Sequence, residues 1–574
     1  MLDVKQAMIR RYPSLVCVLL CLFAACGGSR CDASTASTPH QASSRNPPAA
    51  KALPVIKPPR PDLRLVVTTD ARGYLEPCGC QLRPLGGLDK LATVVAEARS
   101  TGVPLLLLSA GDFAVGTELR PDDAAEAQAQ EAMRARTFVE IWRRLAPAAI
   151  TPGRLDLAQS ASWLAEQRAL GSFPWLVDNA SVASPEPSTP KQAPAPSGAP
   201  FGRARIVEVE GIKVGVLGLV APDPAEPATA PIVLADDLSA VAEAQSRSLR
   251  EAGAQLVVAL VVGDRRTARM VASRGPDVVL MGGLRLEQPL PPSHAGNAIL
   301  LHAGQQGQYA VTVDLGLGQP DAGDPTWEDA SNWTRREERK ELEQQIQERR
   351  ARIAGWEKDH SAQASDLEAQ RERLRELEAE RDAPHPPRFA GRWFFADLVA
   401  LVPEVPGDRE VASVLDAHDV RVNEHNRVSL AGHKPQPAPA GTASYAGSES
   451  CASCHQAAYA WWQTTKHGHA YATLEAVHKE FSLSCVSCHV VGYNQPGGST
   501  VTHVDKLKDV GCENCHGPGS LHNAQPKLPG LVTKAVPEAV CTGCHTHEHS
   551  DRFEYTSFRQ LMIAPGHGKP SDRQ

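Results

Sequence analysis

The sequence has 574 residues, enough for three or four domains at about 150 residues each. It carries 59 basic and 66 acidic residues, and this net charge of −7 gives no support for a nucleic-acid-binding protein, which needs a strong basic excess. The hydrophobic fraction of 42% is ordinary for a soluble globular protein, whereas 46 prolines indicate a long unfolded linker. The 14 cysteines and 20 histidines are the informative counts, because their placement separates a disulfide scaffold from a cofactor site.

The first 25 residues have the pattern of a bacterial export signal. Three basic residues precede an apolar run, 13–25, which is too short to span a bilayer. Small residues then precede Cys26, as in a lipobox with cleavage before that cysteine and lipid on its sulfur. A plain signal peptide cut nearby is the alternative. Both readings predict an exported bacterial protein, periplasmic or anchored to the outer membrane by lipid, with residues 26–60 as a disordered tether.

Four Cys-X-X-Cys-His units stand in the last quarter of the chain. This is the attachment signature of c-type haem, in which two thiols add to the porphyrin vinyl groups and the adjacent histidine reaches the iron. A zinc ribbon needs paired cysteines but no histidine after each pair. The sequence therefore predicts four covalently bound haems c, with no other metal assigned. The units are Cys451-Ala-Ser-Cys454-His455, Cys485-Val-Ser-Cys488-His489, Cys512-Glu-Asn-Cys515-His516 and Cys541-Thr-Gly-Cys544-His545.

Each haem iron has a second axial position, and the same segment is rich in further histidines. Iron held by two histidines is closed to substrate and suits electron transfer, whereas an open iron binds small molecules. The density of histidines predicts that several haems have two histidine ligands, and any single histidine is otherwise a solvated surface residue. The eight candidates are His467, His469, His478, His503, His522, His547, His549 and His567.

Residues 445–570 resemble the tetrahaem cytochrome c-554 family. The resemblance rests on the segments 462–467 and 510–522 and on the order of the four units. It implies that His467, in a tryptophan-rich helix, and His522, six residues after the third proximal histidine, are distal iron ligands. It also implies His469 as a competitor of His467 and His567 as a late ligand. The family can leave one haem five-coordinate, and the sequence does not say which.

Residues 61–330 alternate apolar strands with helices, which predicts an α/β fold. Because about 33 residues per haem cannot build an ordinary core, the remaining chain must supply the large side-chain core while porphyrins fill the C-terminal domain. The predicted strands are 63–69, 103–108, 206–209, 212–219, 255–262 and 277–281, with a helix at 88–99 and helices before the last two strands.

The landmarks of this segment resemble the 5′-nucleotidase-like metallophosphoesterases. Thr-Asp-Ala-Arg-Gly at 69–73 stands where that family has Asn-Asp-X-His-Gly, and Ala-Gly-Asp at 110–112 also matches. The resemblance implies a sandwich fold with a two-metal site. Of the ligands only Asp70 and Asp112 are present, so we expect a vestigial metal site.

The other ligand positions hold residues that do not bind metals. Arg72 replaces the first histidine, Arg154-Leu155 an Asn-His dyad, a valine of 260–263 another histidine, and Arg285 a terminal one. Two carboxylates cannot hold two metals, and three arginines repel cations and attract anions. The sequence thus predicts a pseudo-phosphatase that serves as a scaffold or partner surface; a retained anion- or nucleotide-binding cleft and active hydrolysis are the alternatives.

Two cysteines follow the first motif closely. Cys78 and Cys80 flank one glycine, a few residues after the aspartate that opens the old metal pocket. The pair predicts either a strained disulfide or a metal or redox site.

A segment dense in Arg, Glu and Gln, 334–382, has apolar residues at coiled-coil spacing interrupted by polar ones. Because strands are predicted on both sides of it, we expect an antiparallel hairpin that turns within 355–365, with arms of about 30 Å. It could serve dimerisation, docking or spacing. The expected boundaries are 1–25 signal, 26–60 tether, 61–330 first domain, 331–383 hairpin, 384–433 completion of the first domain, 434–444 linker and 445–574 haem domain.

These patterns together predict an exported, lipid-anchored tetrahaem cytochrome that transfers electrons to redox partner proteins. The rival is a redox enzyme that reduces a small nitrogen or sulfur compound at an open haem. The second alternative is a 5′-nucleotidase-like phosphohydrolase with a haem appendage. The patterns favour an electron carrier over an enzyme and argue against phosphohydrolase activity.

Overall fold

The computed structural model describes residues 55–77, 84–116, 124–182, 201–222, 232–318, 326–383, 386–389, 391–546, 549–550 and 552–563. The chain divides into two units, Met1–Ala52 and Leu53–Gln574, and all described residues belong to the second. The predictions for the export signal, Cys26, Cys78, Cys80, His547 and His567 therefore lie outside the described residues. No helix among the described residues is long and apolar enough to cross a membrane.

Residues 61–433, the sandwich region, hold all fourteen strands of the described chain and nine helices. In chain order these elements are β1 (Leu63–Thr69), α1 (Leu88–Ser100), β2 (Leu105–Gly111), α2 (Ala125–Leu145), β3 (Ala149–Pro152), α3 (Arg154–Leu157), α4 (Ala161–Gly171), β4 (Ala180–Val182), β5 (Arg205–Val209), β6 (Ile212–Val220), β7 (Ile232–Leu234), α5 (Leu238–Glu251), β8 (Leu256–Val262), α6 (Arg265–Ala272), β9 (Val278–Gly282), β10 (Leu290–Ala295), β11 (Ala298–His302), β12 (Tyr309–Gly316), β13 (Glu328–Asp329), α7 (Asn332–Asp359), α8 (Ala364–Asp382), β14 (Trp393–Ala400) and α9 (Arg409–Ser429).

Two mixed six-stranded sheets pack face to face, with strand orders β13-β14-β12-β1-β2-β3 and β10-β11-β9-β8-β6-β5. Strands β1, β2 and β3 are parallel in the first sheet, as are β6, β8, β9 and β11 in the second. Helices cover the outer faces, so the central strands are buried on both sides and read as continuous apolar runs. The predicted α/β sandwich is confirmed.

The core between the sheets explains where the strands begin and end. Leu65 and Leu108 from the first sheet meet Val258 and Leu280 from the second in one buried cluster. Strand β2 runs on to Gly111, three residues past its predicted end, because the small residues after Leu108 also pair with β1 and β3. The other predicted strands and α1 agree with the structure to within one or two residues.

The charged segment forms the expected antiparallel helical hairpin. Helices α7 and α8 are joined by residues 360–363, inside the predicted turn, and bury Ile346, Ile353 and Leu377. At 28 residues α7 is about 42 Å long, longer than the predicted arm of about 30 Å. The helix is longer because it continues to Asp359, inside the segment predicted as the turn, and because it begins at Asn332, two residues before the charged segment.

Residues 445–563, the haem-motif region, contain short helices and few buried apolar side chains. Nine apolar residues of this region are buried, the largest being Tyr471. The elements are α10 (Gln456–Trp462), α11 (Ala470–Glu475), α12 (Cys512–His516), α13 (Ser520–Ala524), α14 (Glu538–Thr542), α15 (Tyr555–Leu561) and 3-10 turns at Ser448–Cys451, His467–His469, Val486–Cys488 and Asp505–Leu507.

The segment 434–444 was predicted as a linker, and its backbone lies against the haem-motif region. The N–H of Gly497 donates to the carbonyl of Gln436, with 2.6 Å between N and O. Just before the segment, the Thr500 hydroxyl donates to the carbonyl of His433 at 2.8 Å. These bonds fix the entry of the chain into the haem-motif region.

Candidate functional site

Each Cys-X-X-Cys-His unit lies on a helical turn, which places its reactive groups on one side of the backbone. In the first unit the N–H of His455 donates to the carbonyl of Cys451 at 2.9 Å, and the fourth unit repeats this bond between His545 and Cys541. Residues three and four apart on such a turn share a face. All eight motif cysteines are free thiols in the structure. The arrangement fits the attachment of one haem to each unit.

Hydrogen bonds orient three of the proximal histidines. Nδ1 of His489 donates to the carbonyl of Ala470, and Nδ1 of His516 donates to the carbonyl of Thr533, both at 2.6 Å. Nδ1 of His545 shares a hydrogen bond of 3.1 Å with a serine hydroxyl. A histidine whose Nδ1 carries the proton keeps the lone pair on Nε2, which is the atom that binds iron. The residues present therefore fit haem ligation.

Two distal candidates lie opposite proximal histidines. The rings of His455 and His522 have centroids 6.3 Å apart and are inclined by 28°. The rings of His467 and His545 have centroids 6.2 Å apart and are inclined by 56°. Because a metal–imidazole bond is about 2 Å long, two imidazoles on opposite sides of one metal have centroids about 6 Å apart. Both pairs thus have the spacing of two axial ligands of one iron.

The pairs join units that are distant in the sequence. His522 follows the third unit but faces the proximal histidine of the first, and His467 follows the first unit but faces that of the fourth. His467 lies in a 3-10 turn, not in the tryptophan-rich helix where it was expected, because α10 ends at Trp462. The hydroxyl of Thr464 donates to the carbonyl of Trp461 at 2.6 Å and competes with helix continuation there.

The remaining described histidines have other surroundings. His469 is exposed and lies near the Asp509 carboxyl, so the structure places His467 rather than His469 opposite a proximal ring. Nδ1 of His503 bonds the Thr502 hydroxyl at 3.0 Å. Burial lowers the pKa of His467, which keeps its imidazole neutral as an iron ligand must be. Among the described residues no histidine ring faces His489.

Sulfur contacts show which units are neighbours. The thiols of Cys451 and Cys512 contact each other, and so do those of Cys488 and Cys544. The first unit is therefore adjacent to the third, and the second to the fourth. This interleaving brings the haem attachment points into one compact cluster.

A polar interface joins the second unit to the sandwich region. Lys479, six residues before Cys485, forms ion pairs with Glu76 and with Asp419, the latter at 3.4 Å. The side chain of Gln130 on α2 accepts from the N–H of Leu483 at 3.0 Å. Of the four units, the second is the one that these contacts hold against the sandwich.

The two surviving metallophosphoesterase-like aspartates meet at the carboxyl ends of the parallel strands. The Asp70 carboxylate accepts from the N–H of Asp112 at 3.1 Å and from the N–H of Gly283 at 2.8 and 2.9 Å. Burial, and then the neighbouring Asp112, raise the pKa of Asp70 to about 7. The backbone amides thus occupy the oxygens that a metal would need.

The three predicted arginines surround these carboxylates. Burial raises the pKa of Asp112, and the charges of Arg72, Arg285 and Arg154 partly offset that effect. No group of three or more His, Cys, Asp or Glu residues that could hold a metal occurs in the part of the chain that the structure describes. The carboxyl ends of these strands, which we call the sheet edge, therefore carry arginines at positions where a two-metal enzyme needs metal ligands.

Asp156 is a structural residue of this edge that sequence reasoning missed. Its fully buried carboxylate accepts from the N–H groups of Phe113, Ala114, Val115 and Gly153 at 2.7 to 3.1 Å. Burial, followed by the charge of Asp112, raises its pKa to about 7. An aspartate four residues after Pro152 gave the only sequence signal, and only the fold shows that it clamps the loop after β2.

A sequence model of the family described as "Cytochrome c554 and c-prime" matches residues 450–517. Cytochrome c-554 of Nitrosomonas europaea is 38% identical over 96 residues, which are 14% of this chain and 41% of that protein. The chain thus spans well under half the length of this curated relative. Covalently bound haem c is the cofactor that the family implies.

Solved structures similar to the chain include a 5′-nucleotidase precursor and a calcineurin-like phosphoesterase. The 5′-nucleotidase precursor of Thermus thermophilus has a TM-score of 0.42 at 16% identity, covering 63% of this chain and 59% of that one. The calcineurin-like phosphoesterase YfkN of Bacillus subtilis has a TM-score of 0.36 at 16% identity, covering 47% and 88%. At such identities the likeness concerns the fold alone. The sequence likeness to the cytochrome c-554 family is confined to the C-terminal segment of the chain.

Proposed function

We propose that this protein is an exported tetrahaem electron carrier whose metallophosphoesterase-like region does not hydrolyse phosphate esters. The observation that carries the proposal is the spacing of the His455–His522 and His467–His545 pairs. Two histidines on one iron leave no position for substrate, so such a site passes electrons without binding a reactant. The iron, when bound, supplies the change of oxidation state.

The chain's own residues account for the rest of the function. Eight cysteines fix four haems, and the adjacent units place those haems close enough for electrons to pass between them. Backbone carbonyls hold two of the proximal rings, those of His489 and His516, in the tautomer that leaves Nε2 free to bind iron. Lipid on Cys26 would keep the protein at the membrane, where it exchanges electrons with redox partner proteins; self-association through the α7–α8 hairpin is part of the proposal.

Replacement of one distal histidine tests the proposal. In His522→Ala we expect about one of four haems to change from low-spin to high-spin iron, seen in the visible and EPR spectra. His503→Ala is the matched control, because His503 bonds a threonine hydroxyl and faces no proximal ring among the described residues. Haem analysis should give four haems per chain in both variants. Unchanged low-spin spectra in His522→Ala would contradict the assignment.

A redox enzyme is the second candidate, and one observation favours it. The two ring pairs involve only the proximal histidines of the first and fourth units, so the second and third haems are the ones to examine for an open position. A high-spin component in the unmodified protein that shifts with nitrite or hydroxylamine would support this candidate. Wholly low-spin iron would exclude it.

Phosphoester hydrolysis is the function that the sheet edge argues against. The Asp70 oxygens accept backbone N–H groups, and three arginines stand near the Asp112 carboxylate. We expect no phosphatase activity with added manganese. Activity that Asp112→Ala abolishes would overturn this part of the proposal.

A further inference from the structure

The three arginines at the carboxyl ends of the strands come from both sheets, two of them on loops and Arg154 as the first residue of α3. Arg72 follows β1, Arg154 follows β3, and Arg285 follows β9 of the second sheet. The N–H of Gly283 donates to Asp70, which ties the two sheets together at this point. In open α/β sheets, ligands bind outside the carboxyl ends of parallel strands, which is where these loops meet.

Glycines allow the loops to approach more closely than other residues would. A Cβ on Gly282 would lie 2.5 Å from the backbone of Ala110, and one on Gly153 would lie 2.2 Å from the backbone nitrogen of Asp112. No side chain fits in either space. The segments are therefore packed tightly against one another at this end of the sheets.

Backbone strain is concentrated at the same edge. Asp70, Arg72 and Arg285 all have positive φ angles, of 45°, 52° and 52°, although none is glycine. Residues in the left-handed region are unfavourable and persist where the surrounding structure enforces them, which is commonly at a ligand site. Two of the three strained residues are arginines that stand near the Asp112 carboxyl.

Backbone N–H groups hold the carboxylates of this site. Asp70, Asp112 and the buried Asp156 each accept such groups, and three guanidinium groups stand near Asp112. The Nη2 of Arg72 donates to the carbonyl of Gly116 at 2.9 Å, whereas its Nε is buried and has no acceptor among the described residues. An uncompensated buried donor on a cation is satisfied by an anionic acceptor.

We propose that Arg72, Arg154 and Arg285 form a binding site for a small tetrahedral oxyanion, phosphate or sulfate, at the carboxyl edge of the two sheets. Planar guanidinium forks match the oxygens of such anions in charge and geometry. The site occupies the place of the absent metal centre with the opposite ligand preference. The site does not involve the haems, so a test of anion binding does not depend on whether the electron-carrier function is correct.

Calorimetric titration of the full haem-loaded protein with inorganic phosphate, and separately with sulfate, tests the site. We expect saturable binding of at least one anion that is about tenfold weaker or absent in the double variant Arg72→Gln, Arg154→Gln. Glutamine keeps most of the length and polarity of arginine but removes the charge. Manganese should give no binding heat.

Two further variants make the result decisive. Arg285 is exposed, so Arg285→Gln keeps the fold even where the double variant does not, and it should weaken anion binding several-fold. Arg205→Gln is the matched control, because Arg205 is an exposed arginine in a separate cleft of about 750 Å³ that also contains Arg168 and Arg203. The control should bind the anion as the unmodified protein does.

Three outcomes would overturn the proposal. The first is the absence of saturable binding of either anion. The second is equal binding by the unmodified protein and Arg285→Gln, or loss of binding only in Arg205→Gln, which would place the anion in the other cleft. The third is manganese binding that requires Asp70, tested with Asp70→Asn, because a cation site and an oxyanion site cannot share these arginines.

Discussion

The sandwich region and the haem-motif region bury apolar side chains to very different extents. The first contains three large clusters of buried residues, between the sheets and beneath the helices on each side. The second buries nine apolar side chains over residues 445–563 and has no helix longer than seven residues in its described part. The sandwich region is thus stabilised by buried side chains, whereas the haem-motif region depends on the cofactor that its cysteines attach.

Removal of haem tests this difference between the two regions most directly. In protein produced without haem attachment, we expect backbone amides of the haem-motif region to exchange hydrogen at close to unfolded rates, while those of the sandwich region remain protected. The reason is that few buried apolar groups cannot offset a conformational entropy of about 1–2 kcal/mol per residue. Mass spectrometry of hydrogen exchange, with the haem-loaded protein as control, measures this. A protected haem-motif region in the haem-free protein would contradict the comparison.

A core substitution tests the sandwich side. Phe113 is almost fully buried, with ring centroids 5.0 Å from Phe138 and 4.9 Å from Trp142. Phe113→Ala should destabilise the sandwich region by about 3–5 kcal/mol, because a cavity remains and aromatic contacts are lost. Urea unfolding followed by tryptophan fluorescence measures the loss. Phe558→Ala, beside His545, is the control and should leave the sandwich transition unchanged.

The interface between the regions gives a smaller effect. Lys479→Met should leave Glu76 and Asp419 as unpaired neighbours and destabilise the contact by about 2 kcal/mol, between the values for exposed and buried ion pairs. Calorimetry should show the unfolding transitions of the two regions moving apart. Lys508→Met removes a more exposed pair with Glu475 inside the haem-motif region, and its effect should be well below that of Lys479→Met. Equal effects of the two substitutions would mean that the ion pairs of Lys479 contribute no more to stability than an exposed ion pair does.

The same interface predicts a pH dependence. Burial raises the pKa of Asp419 from 3.8 to about 6, although Lys479 acts in the opposite direction. A carboxyl whose pKa is higher in the folded than in the unfolded protein stabilises the folded state when it is protonated. That contribution is complete below the unfolded-state pKa and is lost as the pH rises towards the folded-state pKa of about 6. The stability of Asp419→Asn relative to the unmodified protein should therefore rise between about pH 4 and 6 and stay level above. Urea unfolding at each pH measures the difference, and a flat difference would contradict it.

The smallest effect is expected on the helical hairpin. Arg375 pairs with Glu368 and Glu372 on the solvent face of α8. Exposed ion pairs of this kind contribute little because solvent screens them. Arg375→Ala should give no measurable change in the thermal midpoint, whereas Leu377→Ala, at a buried position of the same helix, should lower it. Similar midpoints for the two variants would show that the hairpin is not held by its apolar contacts.

Much of the fold could be predicted because its signals are local. The apolar runs of β1, β6 and β8 and the charged repeat of the hairpin each report a conformation that neighbouring residues determine. The end of β2 could not be predicted, because its pairing with β1 and β3 decides it. These are contacts between residues far apart in the sequence.

The haem attachment units show the limit of the sequence most clearly. Cys512, Cys515 and His516 lie on one short helix, so their spacing alone identifies them and the cofactor they suit. By contrast, the tertiary structure decides that His522 faces His455 and not the nearer His516, because six residues of chain do not determine which neighbour a ring meets.

The sequence by itself determined the number of haem attachment units, the alternation of strands and helices, and the loss of metal ligands beside Asp70 and Asp112. Only the tertiary structure decided that His522 lies beside His455 and that Asp156 clamps the loop after β2, because these contacts join residues of different elements. Covalent chemistry and local periodicity depend on residues a few positions apart, and they can be predicted from the sequence. Ligand pairs and charge clusters depend on long-range packing, and the fold alone determines them.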